Sequence, residues 1–277
     1  MRIKKLPIVM IIVGLIYCVM AFIAKKTQED ESINDDNPYN YPYKPKEENK
    51  LPLYVTTVKP FLAHVLSFCA LMILSPVYAL IAIAIKIDDP GPVFFAQKRV
   101  GKNNSYFMCH KFRTMKVSAP HNVPTHQLKD PEQYITRVGK VLRKTSLDEF
   151  PQFWDVFRKK MVLIGARPAL WNQEDLIAER EKYDAVAADV GITGLAQNRG
   201  RDSISIQEKA RYDGQYWRIL KEGGFKAFFF DCRLFFETIV SVLSHKGVVE
   251  GGTVDGMQRA DIKSQSRGIV GAIAPVW

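Results

Sequence analysis

Residues 60–85 read PFLAHVLSFCALMILSPVYALIAIAI, a run of 26 positions without Asp, Glu, Lys or Arg. As a helix it reaches ~39 Å, more than the ~30 Å of hydrocarbon in a bilayer. Ser75-Pro76 lies inside it. Proline removes one backbone donor and its ring crowds the carbonyl one turn back, so a kink or break is expected there. In hydrocarbon the freed carbonyl needs a partner, and the Ser75 hydroxyl is placed to supply one. Length does not decide between a helix that spans and one that turns back at the proline. Taken by themselves, these residues favour a kinked span.

Working toward the N-terminus, Leu6–Ala24 is a second charge-free run, of 19 residues, preceded by Arg2, Lys4 and Lys5 and followed by Lys25 and Lys26. It is long for a signal peptide and lacks an A-x-A cleavage pattern, so residues 1–24 read as an uncleaved membrane anchor. Residues 25–58 are polar and then Asn- and Pro-rich (NPYNYPYKPKEENKLP at 37–52), an extended linker. If both apolar runs span, this linker lies outside the cell. If the second turns back, the linker is cytosolic. The basic residues before Leu6 favour an inside start.

Toward the C-terminus, DDPGPVFFAQKRVG at 88–101 gives a turn and then a short strand at Val93–Ala96. Gln97–Val117 holds six Lys or Arg and no acid, which reads as a solvated face or a surface for anionic headgroups, nucleic acid or substrate phosphates. Ile135–Lys144 is amphipathic. Phe150, Phe153, Trp154 and Phe157 mark one helical face, and Glu174–Tyr183 and Ile206–Leu220 are further helices. Val190–Arg201 reads as a glycine-rich loop. Phe225–Leu243 is strongly aromatic yet carries Lys226, Asp231, Arg233 and Glu237, the pattern of an amphipathic helix lying in the membrane interface. From Gly247 onward the chain is a loose tail. Across 277 residues the net charge of +10 and the 47% hydrophobic content are those of a folded protein, and the mean hydropathy of −0.11 averages over two membrane segments and a water-facing part.

Asp148-Glu149 is the pair most able to carry chemistry. Ser146 with Glu149 three residues on is a capping-box pattern, which gives both residues a purely structural reading. Against it, Pro151 would fall past the first turn of such a helix. The pair also lies between Arg137, Lys140, Arg143 and Lys144 on one side and Arg158, Lys159 and Lys160 on the other. An ionised, positioned Asp can attack phosphorus, and a neighbouring carboxylate can hold Mg²⁺. Ile164-Gly-Ala-Arg-Pro168 offers a rigidly held guanidinium, and Gly191-Ile-Thr-Gly194 followed by Asn198-Arg-Gly-Arg201 has the components of an anion nest. No Walker A, dinucleotide-binding, nucleophile-elbow or D-x-D pattern is present. The four cysteines include no C-x-x-C, which argues against zinc and against a disulfide framework.

Taken in order, SP at 75–76, DDPGPVFFAQKRVG at 88–101, HKFRTM at 110–115, ITRVGKVLRKTSLDEFPQFWDVF at 135–157, IGARP at 164–168 and GITGLAQNRGRDSISI at 191–206 resemble the bacterial sugar transferase family, the monotopic polyprenol-phosphate glycosyl-1-phosphate transferases. The resemblance covers about residues 59–245. It implies transfer of a sugar-1-phosphate from a nucleotide-sugar, usually UDP-linked, onto undecaprenyl or another polyprenol phosphate, with UMP as the second product. This would be the priming step of exopolysaccharide, capsule, O-antigen or glycoprotein glycan assembly. Carried over residue by residue, Asp148 is a nucleophile that forms an aspartyl phospho-sugar, and Glu149 is the ligand of Mg²⁺. Lys111, Arg143, Arg167, Thr193 and Arg201 match positions near substrate phosphates.

The resemblance also implies that the helix at 59–86 is re-entrant, broken at Ser75 and Pro76, in place of the kinked span. The fold class expected is then α+β and membrane-associated: an anchor, a linker, the re-entrant helix, a small mainly helical catalytic domain at 87–246 with interfacial amphipathic helices, and the tail at 247–277. The domain would face the cytosol from the bacterial cytoplasmic membrane, with nucleotide-sugar, polyprenol phosphate, lipids and downstream glycosyltransferases as partners and no nucleic acid. Three departures stand out. Ala166 replaces a proline, Asp189-Val190 replaces Arg-Pro, and Lys159-Lys160-Met161-Val162 replaces Gly-Asp-Met-Ser. They leave an inactive, scaffolding relative as the alternative.

Overall fold

The computed structural model describes residues 51–119, 131–200 and 204–243. The anchor at 1–24, most of the linker, Arg201 and the tail at 247–277 lie outside the described residues. The linker's last residues are not extended: Tyr54–Val58 is a turn of π-helix, with Tyr54 and Val55 buried, that runs straight into α1, Lys59–Asp88.

Helix α1 has 30 residues, reaches ~45 Å and, with the turn before it, is long and apolar enough to cross a membrane. The helical backbone continues through Ser75-Pro76, with Pro76 inside the helix. The physical reason is local. Pro76 cannot donate to the carbonyl of Met72, and the Ser75 hydroxyl donates to that carbonyl instead, at 2.9 Å. One lost bond is thereby replaced and the rest of the ladder is kept.

One stripe of α1, with Ala63, Ser67, Tyr78, Ile81 and Ile85, is buried against the domain. Phe61, Leu66, Ile73, Leu80, Ile83 and Ile87 point away from it, exposed and wholly apolar. Both ends of α1 meet the domain. Lys59 Nζ lies 2.5 Å from Asp231 Oδ2, and Asp88 Oδ2 accepts from the backbone N–H of Val138 at 2.8 Å.

Strands β1 (Phe94–Val100) and β2 (Tyr106–Phe112) form an antiparallel hairpin, so the strand expected at Val93–Ala96 is longer and the basic run lies on a ribbon. Direct cross-strand pairs share a face, which puts Phe95 with Lys111, Gln97 with Cys109 and Arg99 with Phe107 on one side. Helix α2 is Arg137–Thr145, capped by Thr136, whose hydroxyl accepts from Gly139 N. It ends on Ser146, left-handed at φ 57°. Ser146 therefore closes the preceding helix, and the capping box expected with Glu149 does not form. Leu147–Glu149 is a 3₁₀ turn, and Pro151 leads into α3, Gln152–Phe157. A capping box does form at Ser205 and Glu208, opening a later helix.

Strand β3 (Val162–Ile164) pairs in parallel with β4 (Gly191–Thr193), and α4, Glu174–Lys182, lies between them in sequence. The expected loop at Val190–Arg201 is thus β4 followed by α5, Leu195–Arg199. The glycines there serve backbone contact: a Cβ on Gly191 would lie 2.2 Å from Gly165 N, and one on Gly194 2.1 Å from Gly165 O. Helices α6 (Ile206–Glu222) and α7 (Gly224–Leu243) complete the domain. Tyr216, Trp217 and Leu220 of α6 and Ala227 and Leu234 of α7 pack with Tyr54, Val55 and Ile164 in one core. Phe225, Phe229, Phe236 and Val240 of α7 stay exposed. Asp231, one of the four charges read as arguing against a span, is buried between Lys59 and the hydroxyls of Tyr54 (2.7 Å) and Tyr216 (2.6 Å).

Candidate active site

The 3₁₀ turn Leu147–Glu149 carries the two carboxylates to the face of the hairpin that bears Lys111. Glu149 is clamped. Its Oε1 accepts from Lys111 Nζ at 2.8 Å and from Arg167 Nη2 at 2.6 Å, and its Oε2 from Arg167 Nη1 at 3.2 Å. Asp148 is buried and, among the described residues, has no side-chain hydrogen bond; its ionic partner is Lys111 Nζ at 3.7 Å. Burial pushes the Asp148 carboxyl above its usual range, with Lys111 opposing the shift and Glu149 adding to it. Two adjacent acids are thus made unlike: one is fixed as an acceptor and the other keeps its lone pairs.

Arg143, at the end of α2, donates from Nε to Thr114 Oγ1 at 2.9 Å, and its charge favours the ionised form of Asp148. Lys111, Arg143, Arg167, Asp148 and Glu149 are therefore brought together as expected. Thr193 is not joined to them: its hydroxyl lies 2.9 Å from that of Thr238 on α7, which in turn donates to Asn198 Oδ1. The anion nest expected there is a strand and a short helix, and Arg201 lies outside the described residues.

Two residues the sequence reading passed over hold the Arg167 segment. Arg180 of α4 donates to the Arg167 carbonyl at 2.9 Å and pairs with buried Asp213 at 2.7 Å. Arg99 of β1 donates to the Pro168 carbonyl at 2.9 Å and to Gln97 Oε1 at 3.0 Å. Burial, reinforced by the charge of Arg167, lowers the Arg99 guanidinium to about 10. The alternation of β1 and β2, which sets Arg99 and Lys111 on one face, was the available signal for Arg99; nothing in the sequence marked Arg180.

Asp148 and Glu149 fit Mg²⁺ in donor type. They are hard carboxylate oxygens, one or two of which commonly suffice when substrate phosphates and water complete the shell. Among the described residues no cluster of three or more His, Cys, Asp or Glu side chains that could hold a metal ion exists. Asp189, where the resemblance expects a cation, is paired with Lys102 at 3.1 Å. Ala166 is buried, and its carbonyl accepts from Gly191 N at 2.9 Å, an interaction in which its side chain takes no part.

The profile of the bacterial sugar transferase family matches residues 54–245, which takes in every element from the π-turn to α7. The chain belongs to that family. Among its relatives, Exopolysaccharide production protein ExoY of Rhizobium meliloti (strain 1021) is 34% identical over 200 residues, 64% of this chain and 82% of that protein. The UDP-glucose:undecaprenyl-phosphate glucose-1-phosphate transferase of Xanthomonas campestris pv. campestris is 33% identical over 202 residues, 70% of this chain and 40% of that protein. The enzyme of the same name from Escherichia coli (strain K12) is 36% identical over 167 residues, 56% of this chain and 34% of that protein. The match with these two transferases therefore spans well under half of their length. In this family member the Asp148-Glu149 pair lies in a domain packed along one apolar helix.

Proposed function

We propose that this protein transfers a sugar-1-phosphate from a UDP-sugar to undecaprenyl phosphate, the priming step of a surface glycan. The observation that carries this reading is the unlike pair, Asp148 with no side-chain hydrogen bond among the described residues beside Glu149 clamped by Lys111 and Arg167. A carboxylate oxygen of Asp148 attacks the β-phosphorus of the donor as the bond to UMP breaks, and UMP leaves with the electron pair. An oxygen of the acceptor phosphate then attacks the same phosphorus, the aspartyl–phosphorus bond breaks, and the carboxylate is restored. Splitting the transfer keeps two anionic substrates from sharing one site. Lys111, Arg143 and Arg167 neutralise the phosphates, which is most of what phosphoryl transfer needs from a protein. Mg²⁺ bound through Glu149, with Asp148 adjacent, would add charge neutralisation at the diphosphate. Relatives named for glucose-1-phosphate transfer to undecaprenyl phosphate support the substrate classes.

The same reading places α1 in one leaflet, with both ends on the cytosolic side of the cytoplasmic membrane. A straight span carries its two ends to opposite sides, whereas Lys59 and Asp88, near the two ends of α1, both bind one water-facing domain. The exposed phenylalanines of α7 would rest at the acyl boundary, with Lys226 and Arg233 toward water. A screen of UDP-sugars with undecaprenyl phosphate, read by UMP release, tests the activity; no release with any of them overturns it. Strong maleimide labelling from outside the cell of a cysteine placed at Asn40 overturns the one-leaflet placement.

A further inference from the structure

Tyr78, two residues past Pro76, is the buried side chain of the apolar helix nearest the catalytic pair in bonding terms. Its hydroxyl donates to the Phe150 carbonyl at 2.7 Å, and its ring meets Phe112 edge-on, with centroids 5.4 Å apart. Phe150 follows Glu149 and Phe112 follows Lys111. One side chain of α1 thus touches the residues next to both members of the Lys111–Glu149 pair. Two further ties run in parallel. Asp88 caps the start of α2, whose end leads into the Asp148 turn, and Arg113, which follows Phe112, pairs with Asp89 just past α1.

We infer that Tyr78 is a positioning residue that fixes the depth of Asp148 relative to the lipid, so that it governs the acceptor half of the reaction and not the donor half. This rests on the two-step reading above. The donor arrives from water and is held by Lys111, Arg143 and Arg167, which move with Asp148. The acceptor phosphate is held at headgroup depth by its own tail. A change in the height of the carboxylate therefore alters only the second distance, and misplacement of reacting atoms by about 1 Å is costly.

The test uses the full chain in lipid nanodiscs. The donor arm follows exchange of labelled UMP into the UDP-sugar found by the screen, with no acceptor present. The acceptor arm follows complete transfer to undecaprenyl phosphate. Tyr78→Phe should leave exchange within about twofold of the unsubstituted protein and lower kcat for complete transfer by roughly tenfold, with KM for the donor unchanged. Asp88→Ala, acting through α2, should give the same split and carries the test if Tyr78→Phe does not fold. Equal loss in both arms, or no loss in either, overturns the assignment. Absence of exchange in the unsubstituted protein overturns the two-step reading itself, and this inference with it.

Discussion

Replacing Asp148 and its neighbour separately should give opposite outcomes. Glu149→Gln removes the charge from a group that accepts from Lys111 at 2.8 Å and from Arg167 at 2.6 and 3.2 Å. Charge-assisted bonds are worth about 1.5–3 kcal/mol each when buried, but the Lys111 and Arg167 side chains are 21% and 31% exposed, and Gln keeps an oxygen. A loss of about 2 kcal/mol follows, or roughly 4–8 °C in Tm for a domain of this size. Asp148→Asn breaks no hydrogen bond, and burial already disfavours the charge it removes. Stability should therefore hold within about 0.5 kcal/mol, or rise.

The sign of the pH effect follows from the same shift. Because the folded value stands above the ordinary one, the stability tied to Asp148 is present at low pH and fades as pH rises through the raised value. Asp148→Asn should flatten that part of the profile. Thermal scans in EDTA between pH 4 and 8, run beside a UMP-release assay, read both effects. An Asp148→Asn protein that still releases UMP, or that loses as much stability as Glu149→Gln, refutes the division of roles.

Gly191→Ala should prevent proper folding, since its methyl would lie 2.2 Å from Gly165 N and β3 would part from β4; loss of soluble, protease-resistant protein in detergent is the readout. Arg180→Ala leaves Asp213 buried without its cation and should cost about 3–5 kcal/mol, while Arg180→Lys should keep much of that stability yet raise KM for the donor, because the bond to the Arg167 carbonyl is lost.

The helices were legible where periodicity was strong: α1, α2, α4, α6 and α7 fall within a few residues of the stretches that the apolar pattern marks. The capping box was read at the wrong serine. Ser146 and Ser205 both precede Glu at the right spacing, but only the latter opens a long helix, whereas a left-handed Ser146 lets α2 stop and hand Asp148 to the hairpin. Glycines 191 and 194 look like turn residues in sequence, and their use in backbone-to-backbone contact depends on Gly165, far away in the chain. At Pro76 the Ser75 hydroxyl, one residue before it, bonds the Met72 carbonyl that the proline leaves free. Of the site residues carried by the family resemblance, Lys111, Arg143, Arg167 and Glu149 gather around Asp148, the Thr193 hydroxyl faces α7, and Arg201 lies outside the described residues. Arg99 and Arg180 were hidden because each acts on a carbonyl, and carbonyls leave no mark in a sequence.

Lys59 sits at the head of the apolar helix, and its counter-ion, Asp231, comes 172 residues later. At about 5–20 residues per second, the ribosome takes roughly 10–30 s to bridge that interval. For all of that time the lysine at the head of α1 has no Asp231 to meet. The helix is made early, and this one tie at its head forms only when α7 emerges. A chain truncated before Asp231 would bury Lys59 against the Tyr216 hydroxyl without the carboxylate that balances its charge.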